Sequence, residues 1–287
     1  MKSSTPTSRN AAQPVLGLIA GQGRLPFLVA EGARRAGLKV ICVGLADSAA
    51  PELAAYVDAF FWGAIARPGG WMRKLRRWGV TRTIMVGRVA KTNIYTPWRI
   101  VRYLPDWRAL RIWYWRLRGK DKRNDSVLCA IADEFASGGI ILEDSTMYCK
   151  EHLADAGVMT RTQPSATNKA DIAFGWPIAL EVGRLDIGQA IAVREREIIA
   201  VEAIEGTAEM INRAGQLCKK GGWTLLKAAK PNQDMRFDVP CVGPDTIESL
   251  KRNGAACLAV EKGKTIILDK SDTLALADKL GIAVVGV

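Results

Sequence analysis

The stretch Val15-Leu16-Gly17-Leu18-Ile19-Ala20-Gly21-Gln22-Gly23-Arg24-Leu25-Pro26 decides how the front of this chain is read. Six residues form a short, mainly apolar run, as a strand buried on both faces does. Gly21-Gln22-Gly23 turns the chain, and Pro26 suits the first turn of a helix running to about Ala36. Val40 to Gly44 reads as a second strand, 67–78 as a basic helix, and Thr83 to Val86 as a strand ended by Gly87. Strand, turn, helix and strand in alternation imply an α/β fold, Rossmann-like, with a parallel sheet and helices on both faces.

Further along, 106–118 has helical periodicity. Trp107, Leu110, Tyr114 and Leu117 make an apolar stripe, with Arg108, Arg111 and Arg118 beside it. A helix is expected over Asp125 to Phe135 and a strand over Ile140 to Leu142. The pattern then loosens around Pro164, Ser165, Thr167 and Asn168. The expected organisation is a tail over 1–14, an N-terminal α/β domain over 15–150, a linker region over 151–168 and a second α/β domain over 169–287. In that second domain the pattern gives a helix near 168–181, strands near 189–194 and 197–203, and a helix opening after Gly206-Thr207. A strand at Thr224 to Leu226, a helix at 244–253, strand 265–268, helix 271–280 and strand 282–286 follow.

Composition narrows the chemistry. The chain has 287 residues, 48% hydrophobic and 24% charged, close to a folded average. No window approaches the ~20 apolar residues of a membrane span, and the start lacks a signal-peptide stretch, so a cytoplasmic protein is expected. Its six cysteines form no C-x-x-C pair and there is a single histidine, His152. Zinc chemistry and histidine-based catalysis therefore have little to work with, and the cysteines read as buried free thiols. Catalysis is left to carboxylates, Lys, Arg and a metal. The net charge of +12 seeks anions. Between Trp98 and Arg123 lie nine basic residues against two acids, with four of the nine tryptophans. That segment fits a packed helix with a solvated face, a nucleic-acid surface with stacking aromatics, or a membrane-interface element.

Two runs carry chemistry that a core does not need. They are Gly183-Arg184-Leu185-Asp186-Ile187-Gly188-Gln189 and Lys230-Pro231-Asn232-Gln233-Asp234-Met235-Arg236-Phe237-Asp238-Val239-Pro240. Both read as strand ends, with Asp186 at a strand start. A carboxylate flanked by cations stays ionised, as a magnesium ligand or water-orienting base must; a structural salt bridge is the other reading of Asp186 and Asp238. Gly21-x-Gly23 is a tight turn or a phosphate contact. As a dinucleotide fingerprint it lacks its third glycine, Pro26 standing there, so an oxidoreductase rests on those two glycines alone. Gly87-Arg88-Val89-Ala90-Lys91 follows a strand end, where ligands gather in open α/β sheets, or is a solvated loop. Asn124-Asp125 is a helix N-cap or, after Lys122 and Arg123, a ligand contact.

Taken in order, these runs resemble one family. Leu16 through Pro26, Val86-Gly87-Arg88-Val89, Asp133-Glu134-Phe135, Gly183 through Gln189, Val201-Glu202-Ala203 with Glu205-Gly206-Thr207, and Lys230-Pro231 through Asp238-Val239-Pro240 look like the LpxI-type UDP-2,3-diacylglucosamine pyrophosphatases of lipid A synthesis in Gram-negative bacteria. The resemblance spans about Leu16 to Val287. It implies two α/β domains with the substrate between them, and Mg²⁺-dependent attack of water on the α-phosphate. UMP and 2,3-diacylglucosamine 1-phosphate would be the products. Asp238 matches the family's essential aspartate, and Asp186 is expected to share the metal with it.

Arg184, Lys227, Lys230 and Arg236 are expected on phosphate oxygens. Gly21, Gln22, Gly23, Gly87, Arg88, Lys91 and Asp125 are expected to line the substrate from the N-terminal domain. Gln189, Glu205, Gly206, Thr207 and Gln233 are expected to do so from the C-terminal one. The chain departs from the pattern twice: Ala208 stands where the family continues Glu-Gly-Thr with Asp, and Asn124-Asp125 replaces Gly-Asp-Asp. The expected partners are the acylated UDP-glucosamine and an anionic membrane surface met by 98–123, with no nucleic acid; a homo-oligomer is left open. The expected location is the cytoplasmic face of the inner membrane, as a peripheral protein. A homologue that binds the UDP-sugar lipid without turning it over, motivated by Ala208, is the alternative.

Overall fold

The computed structural model describes residues 13–89, 104–117, 124–231 and 234–287, with the backbone alone at 124 and 125. The chain divides into two compact units, up to Glu143 and from Asp144 onward.

In the first unit, β1 (Val15–Ala20) leads through the glycine turn into α1 (Leu25–Arg35) and β2 (Lys39–Leu45). β3 (Ala59–Gly63), α2 (Pro68–Arg77) and β4 (Arg82–Val86) follow. After α3 (Trp107–Arg111) and α4 (Asn124–Ser137), β5 (Ile141–Leu142) closes the sheet. The order is β3-β2-β1-β4-β5, all parallel. Strand order therefore reverses between β1 and β4, which puts the loops after these two strands at the switch point of the sheet. Leu16, Leu18, Ile19, Val40, Ile41, Val43 and Ile84 are fully buried, as a strand covered on both faces requires.

The segment after Asp106 departs from the simple helix that its periodicity predicts. The Asp106 carboxylate caps α3, accepting from Ala109 N at 2.9 Å. From Ile112 to Arg116 the helix widens into a π turn, with Leu117 N bonding to Ile112 O at 3.1 Å. The extra residue in that turn rotates everything after it. Trp107 and Tyr114 of the expected stripe face out, and the buried pair is Ile112 and Leu117. They pack on Ala130 with Val127 and Ile131 of α4. Arg108, Arg111 and Arg116 converge on one carboxylate, Glu134, which is 0% exposed, at 2.6, 3.6 and 3.0 Å.

The second unit opens with β6 (Gly157–Val158), inside the segment expected as a linker, and α5 (Ala166–Arg184). β7 (Ala190–Arg194), β8 (Glu197–Val201), α6 (Thr207–Leu217) and β9 (Trp223–Lys227) follow. Then come β10 (Cys241–Val242), α7 (Pro244–Arg252), β11 (Ala255–Val260), β12 (Ile266–Ile267), α8 (Lys270–Leu280) and β13 (Ala283–Gly286). The sheet order is β6-β13-β11-β9-β7-β8, with β13, β11 and β9 parallel. β7 runs against both β8 and β9. β11, which the sequence reading passes over, lies in the middle of this sheet. One face holds Met210, Trp223, Leu225, Ile247, Leu250 and Leu258. On the other, α5 lies close because Gly175 faces Leu226 and Val193, where an added Cβ would come within 2.8 Å of each.

Cys42, Cys149 and Cys257 are buried, and burial pushes each thiol up to about 12. Cys129, Cys218 and Cys241 are half-buried rather than buried, and none of the six is in a disulfide.

Candidate functional site

In the first unit, the turns after β1 and β4 are locked together. Gly21 N bonds to Val86 O, and Gln22 and Arg88 exchange both backbone hydrogen bonds at 2.8 and 2.9 Å. A Cβ on Gly21 would stand 2.7 Å from Arg88 O, and one on Gly87 2.7 Å from Gly21 C. These two glycines are therefore explained by backbone meeting backbone. Gly23, at φ 111°, has open space around it; its glycine answers to the backbone angle alone. The turns bring Gly21, Gln22, Gly87 and Arg88 to one place, with Gln22, Gly87 and Arg88 exposed. Lys91 and the side chain of Asp125 lie outside the described residues.

In the second unit, the charged run 183–189 ends a helix rather than starting a strand, which corrects the sequence reading. α5 closes with Asp186 N on Gly183 O and Ile187 N on Val182 O. This is the paired closure that normally places glycine in the left-handed conformation. Here the residue is Asp186, at φ 58°. A side chain there costs about 1 kcal/mol that glycine would not, and this one is used: its carboxylate accepts a hydrogen bond from Lys230 Nζ. Gly183 packs on Lys230 Cα and Pro231, so the two charged runs are in contact.

The same run seats the next element. A Cβ on Gly188 would fall 2.0 Å from Glu202 O. Glu202 N bonds to Ala190 O, and Ala228 N to Gln189 O. Glu202 follows β8, Lys227 ends β9, and Thr207 opens α6 after Gly206, whose φ is 83°. The Thr207 hydroxyl donates to Glu202 Oε1 at 2.9 Å and accepts from Lys227 Nζ at 3.2 Å. Lys227 Nζ also donates to Cys241 O at 3.2 Å. Glu202 and Lys227 are each only 6% exposed. Two charged groups so far from water cost several kcal/mol unless partnered, and Thr207 links them.

Asp186, Gln189, Thr207, Lys227 and Lys230 thus gather on one edge of one sheet, the carboxyl ends of β8 and β9. Arg184 is exposed and clasped by Glu181, whose hydrogen bond holds the guanidinium charge even more firmly. Glu205 is clasped by Arg213 and caps Ala203 N. Arg236 pairs with Asp234 through both carboxylate oxygens, at 2.6 to 3.0 Å, and holds that carboxyl below its usual range. Asp238 is exposed, in the loop leading to Cys241, with its N–H on Asp234 O at 3.3 Å. Gln233 lies outside the described residues.

Sequence reading missed Glu202 as a site residue, because an acid near the end of the expected strand 197–203 looks like an ordinary solvated end. Its signal is the neighbouring Gly188, which has no room for a side chain.

Among the described residues, no three His, Cys, Asp or Glu side chains gather as a metal cluster. Magnesium needs fewer: it takes one or two carboxylates and fills its shell from phosphates and water. Asp186, which accepts from Lys230 Nζ, and Asp238, exposed in the loop before Cys241, each have the donor chemistry for an ion shared with a phosphorylated ligand.

The chain is thus a two-unit α/β protein, with one unit built on a parallel sheet with paired glycine turns and one on a mixed sheet with a lysine and carboxylate edge. Residues 15–152 match the LpxI N-terminal domain and residues 155–285 the LpxI C-terminal domain. The chain belongs to the LpxI family. It is 32% identical over 279 residues to the UDP-2,3-diacylglucosamine pyrophosphatase LpxI of Caulobacter vibrioides, covering 95% of this chain and 97% of the relative.

Proposed function

We propose that this protein hydrolyses the diphosphate of UDP-2,3-diacylglucosamine in lipid A synthesis. Water attacks the α-phosphorus, the bond from that phosphorus to the bridging oxygen breaks, and UMP and 2,3-diacylglucosamine 1-phosphate leave. The observation that supports this most is the edge holding Asp186, Lys230, Thr207 and Lys227, in a chain whose Caulobacter relative bears that pyrophosphatase's name. Lys227 and Lys230 offset charge on the diphosphate, and Arg184 and Arg236 hold its outer oxygens. Asp238 orients the attacking water. Asp186 and Asp238 would hold Mg²⁺, whose chemistry there is to neutralise the diphosphate. Gln189, Gln233, Glu205 and Gly206 line the substrate, as do the turns Gly21-Gln22-Gly23 and Gly87-Arg88 with Lys91 and Asp125. Incubating the protein with UDP-2,3-diacylglucosamine and Mg²⁺ should release UMP, read by mass spectrometry. In ¹⁸O water the label should enter UMP; label in the sugar phosphate instead would refute α-attack.

Ala208 favours a second reading, a binding protein of low turnover. It is the exposed second residue of α6, where an aspartate is favourable to the helix. Ala208→Asp should raise hydrolysis at least about tenfold, a barrier change of ~1.4 kcal/mol. If wild type and variant bind the UDP-sugar but release no UMP, the binding reading is right.

The same reading puts the protein on the cytoplasmic face of an anionic membrane. Among the described residues no helix is long and apolar enough to cross one. A surface element is available instead: Trp107 and Trp115 are 67% and 60% exposed, and Trp113, Tyr114 and Leu104 stand out beside them. Trp107, Trp115, Arg111 and Arg116 line an open cleft of about 440 Å³. Aromatic rings at headgroup depth with arginines on lipid phosphates make an interfacial anchor. Flotation with vesicles should require anionic lipid and weaken with salt. Replacing Trp107, Trp113 and Trp115 with alanine should reduce it several-fold. Binding to single-stranded nucleic acid, with none to vesicles, would overturn this assignment.

A further inference from the structure

We infer that Glu202 is a positioning residue of this site: through the Thr207 hydroxyl it sets where the Lys227 ammonium points. The inference deepens the diphosphate reading of this edge and rests on it. Three observations carry it. Glu202 is only 6% exposed, yet no hydrophobic reason puts a carboxylate there. One of its oxygens takes the Thr207 hydroxyl hydrogen, while the other, Oε2, is buried with no hydrogen-bond partner. And Gly188 leaves no room for a side chain against the Glu202 backbone, so the 183–189 run holds Glu202 in place.

The direction of the hydrogen bonds gives Glu202 its role. A hydroxyl has one hydrogen and two lone pairs. With its hydrogen committed to Glu202 Oε1, Thr207 presents only lone pairs to Lys227, and a lysine ammonium has only hydrogens to offer. The carboxylate therefore orients the hydroxyl, and the hydroxyl accepts one ammonium hydrogen. The Cys241 carbonyl takes another at 3.2 Å. A flexible four-carbon side chain is fixed in this way at the end of β9, beside the first turn of α6. A diphosphate then meets an ammonium already oriented, with less ordering to be done on binding.

The test uses the full chain, with Glu202→Gln, Thr207→Val, the double variant and Thr207→Ser. Thr207→Val keeps the shape and removes the hydroxyl; Thr207→Ser restores it. In kinetics with UDP-2,3-diacylglucosamine, both single variants should lower kcat/KM by at least about tenfold. The double variant should be no worse than Thr207→Val, since the chain is already cut. Thr207→Ser should return to within about threefold of wild type. Additive losses in the double variant, or a folded Thr207→Val with wild-type kcat/KM, would overturn the inference.

A second readout does not depend on turnover. The ¹H–¹⁵N signal of the Lys227 ammonium should be protected from exchange in the wild type. It should be lost in both single variants and kept in Thr207→Ser. If wild type shows no hydrolysis while this pattern holds, the substrate reading has failed and the positioning of Lys227 stands. If the signal is unchanged in Glu202→Gln, the positioning inference has failed, whatever the substrate.

Discussion

Asp238→Ala is expected to give a folded protein that releases almost no UMP. The fold should tolerate the change because Asp238 is exposed and its backbone N–H meets Asp234 O. Alanine keeps that N–H. Neighbouring anchors are untouched: Pro240 is buried, its carbonyl accepts from Ile266 N, and β10 pairs with β12 just beyond. The melting temperature should therefore stay within about 2 °C of wild type, the shift expected for a surface change under ~0.5 kcal/mol. Catalysis has no such reserve. In the proposed mechanism Lys227 and Lys230 offset phosphate charge, but neither takes a proton from water nor orients it as an anion does. Loss of the water-orienting carboxylate should lower kcat at least about 10³-fold, roughly 4 kcal/mol of barrier. KM should move less, since the lysines stay. A folded Asp238→Ala with near-wild-type kcat would take Asp238 out of the mechanism and leave Asp186 as the candidate.

What the sequence disclosed depended on whether the deciding interaction was local. β1, the glycine turn and α1 were legible because apolar run, glycine and proline each act within a few residues. The parallel strands β2 and β4 followed from the same grammar. β11 was not legible: Ala-Ala-Cys-Leu-Ala-Val is made mostly of small residues without strand preference, and only burial between β9 and β13 makes it a strand. The strand start assigned to Asp186 failed for a related reason. A helix usually stops at glycine, and the residue in the stopping position here is an aspartate held by Lys230, which lies 44 positions later. The site was half legible. The two charged runs pointed to Asp186 and Lys230, which the structure brings together, while Lys227 entered only with the family resemblance. Glu202 needed the approach of Gly188, a contact that no local pattern encodes.

Glu134→Ala should destabilise the first unit by about 2–3 kcal/mol. Removing one member of a buried ion pair typically costs 3–5 kcal/mol, because the other charge is left in the interior. Here the three arginines are each 24% to 45% exposed, so they can turn to water, which lowers the cost. The remaining loss is structural. Arg108 and Arg111 belong to α3 and Arg116 to the π turn, so one carboxylate on α4 ties two turns of an irregular helix. The apolar contacts of Ile112 and Leu117 are too few to hold that geometry alone.

Melting should fall by at least about 5 °C in thermal denaturation. Glu134→Gln, which keeps an acceptor and loses the charge, should fall between that variant and wild type. The same carboxylate fixes where the tryptophans stand, so vesicle flotation should also weaken in Glu134→Ala, although no surface aromatic has changed and the net positive charge has risen. That last point separates two models. If charge alone drives binding to anionic lipid, the variant binds more tightly; if the π turn presents a set array of rings, it binds less. Tighter flotation with an unchanged melting temperature would mean that the arginines are independent of Glu134 and the array is not built by it.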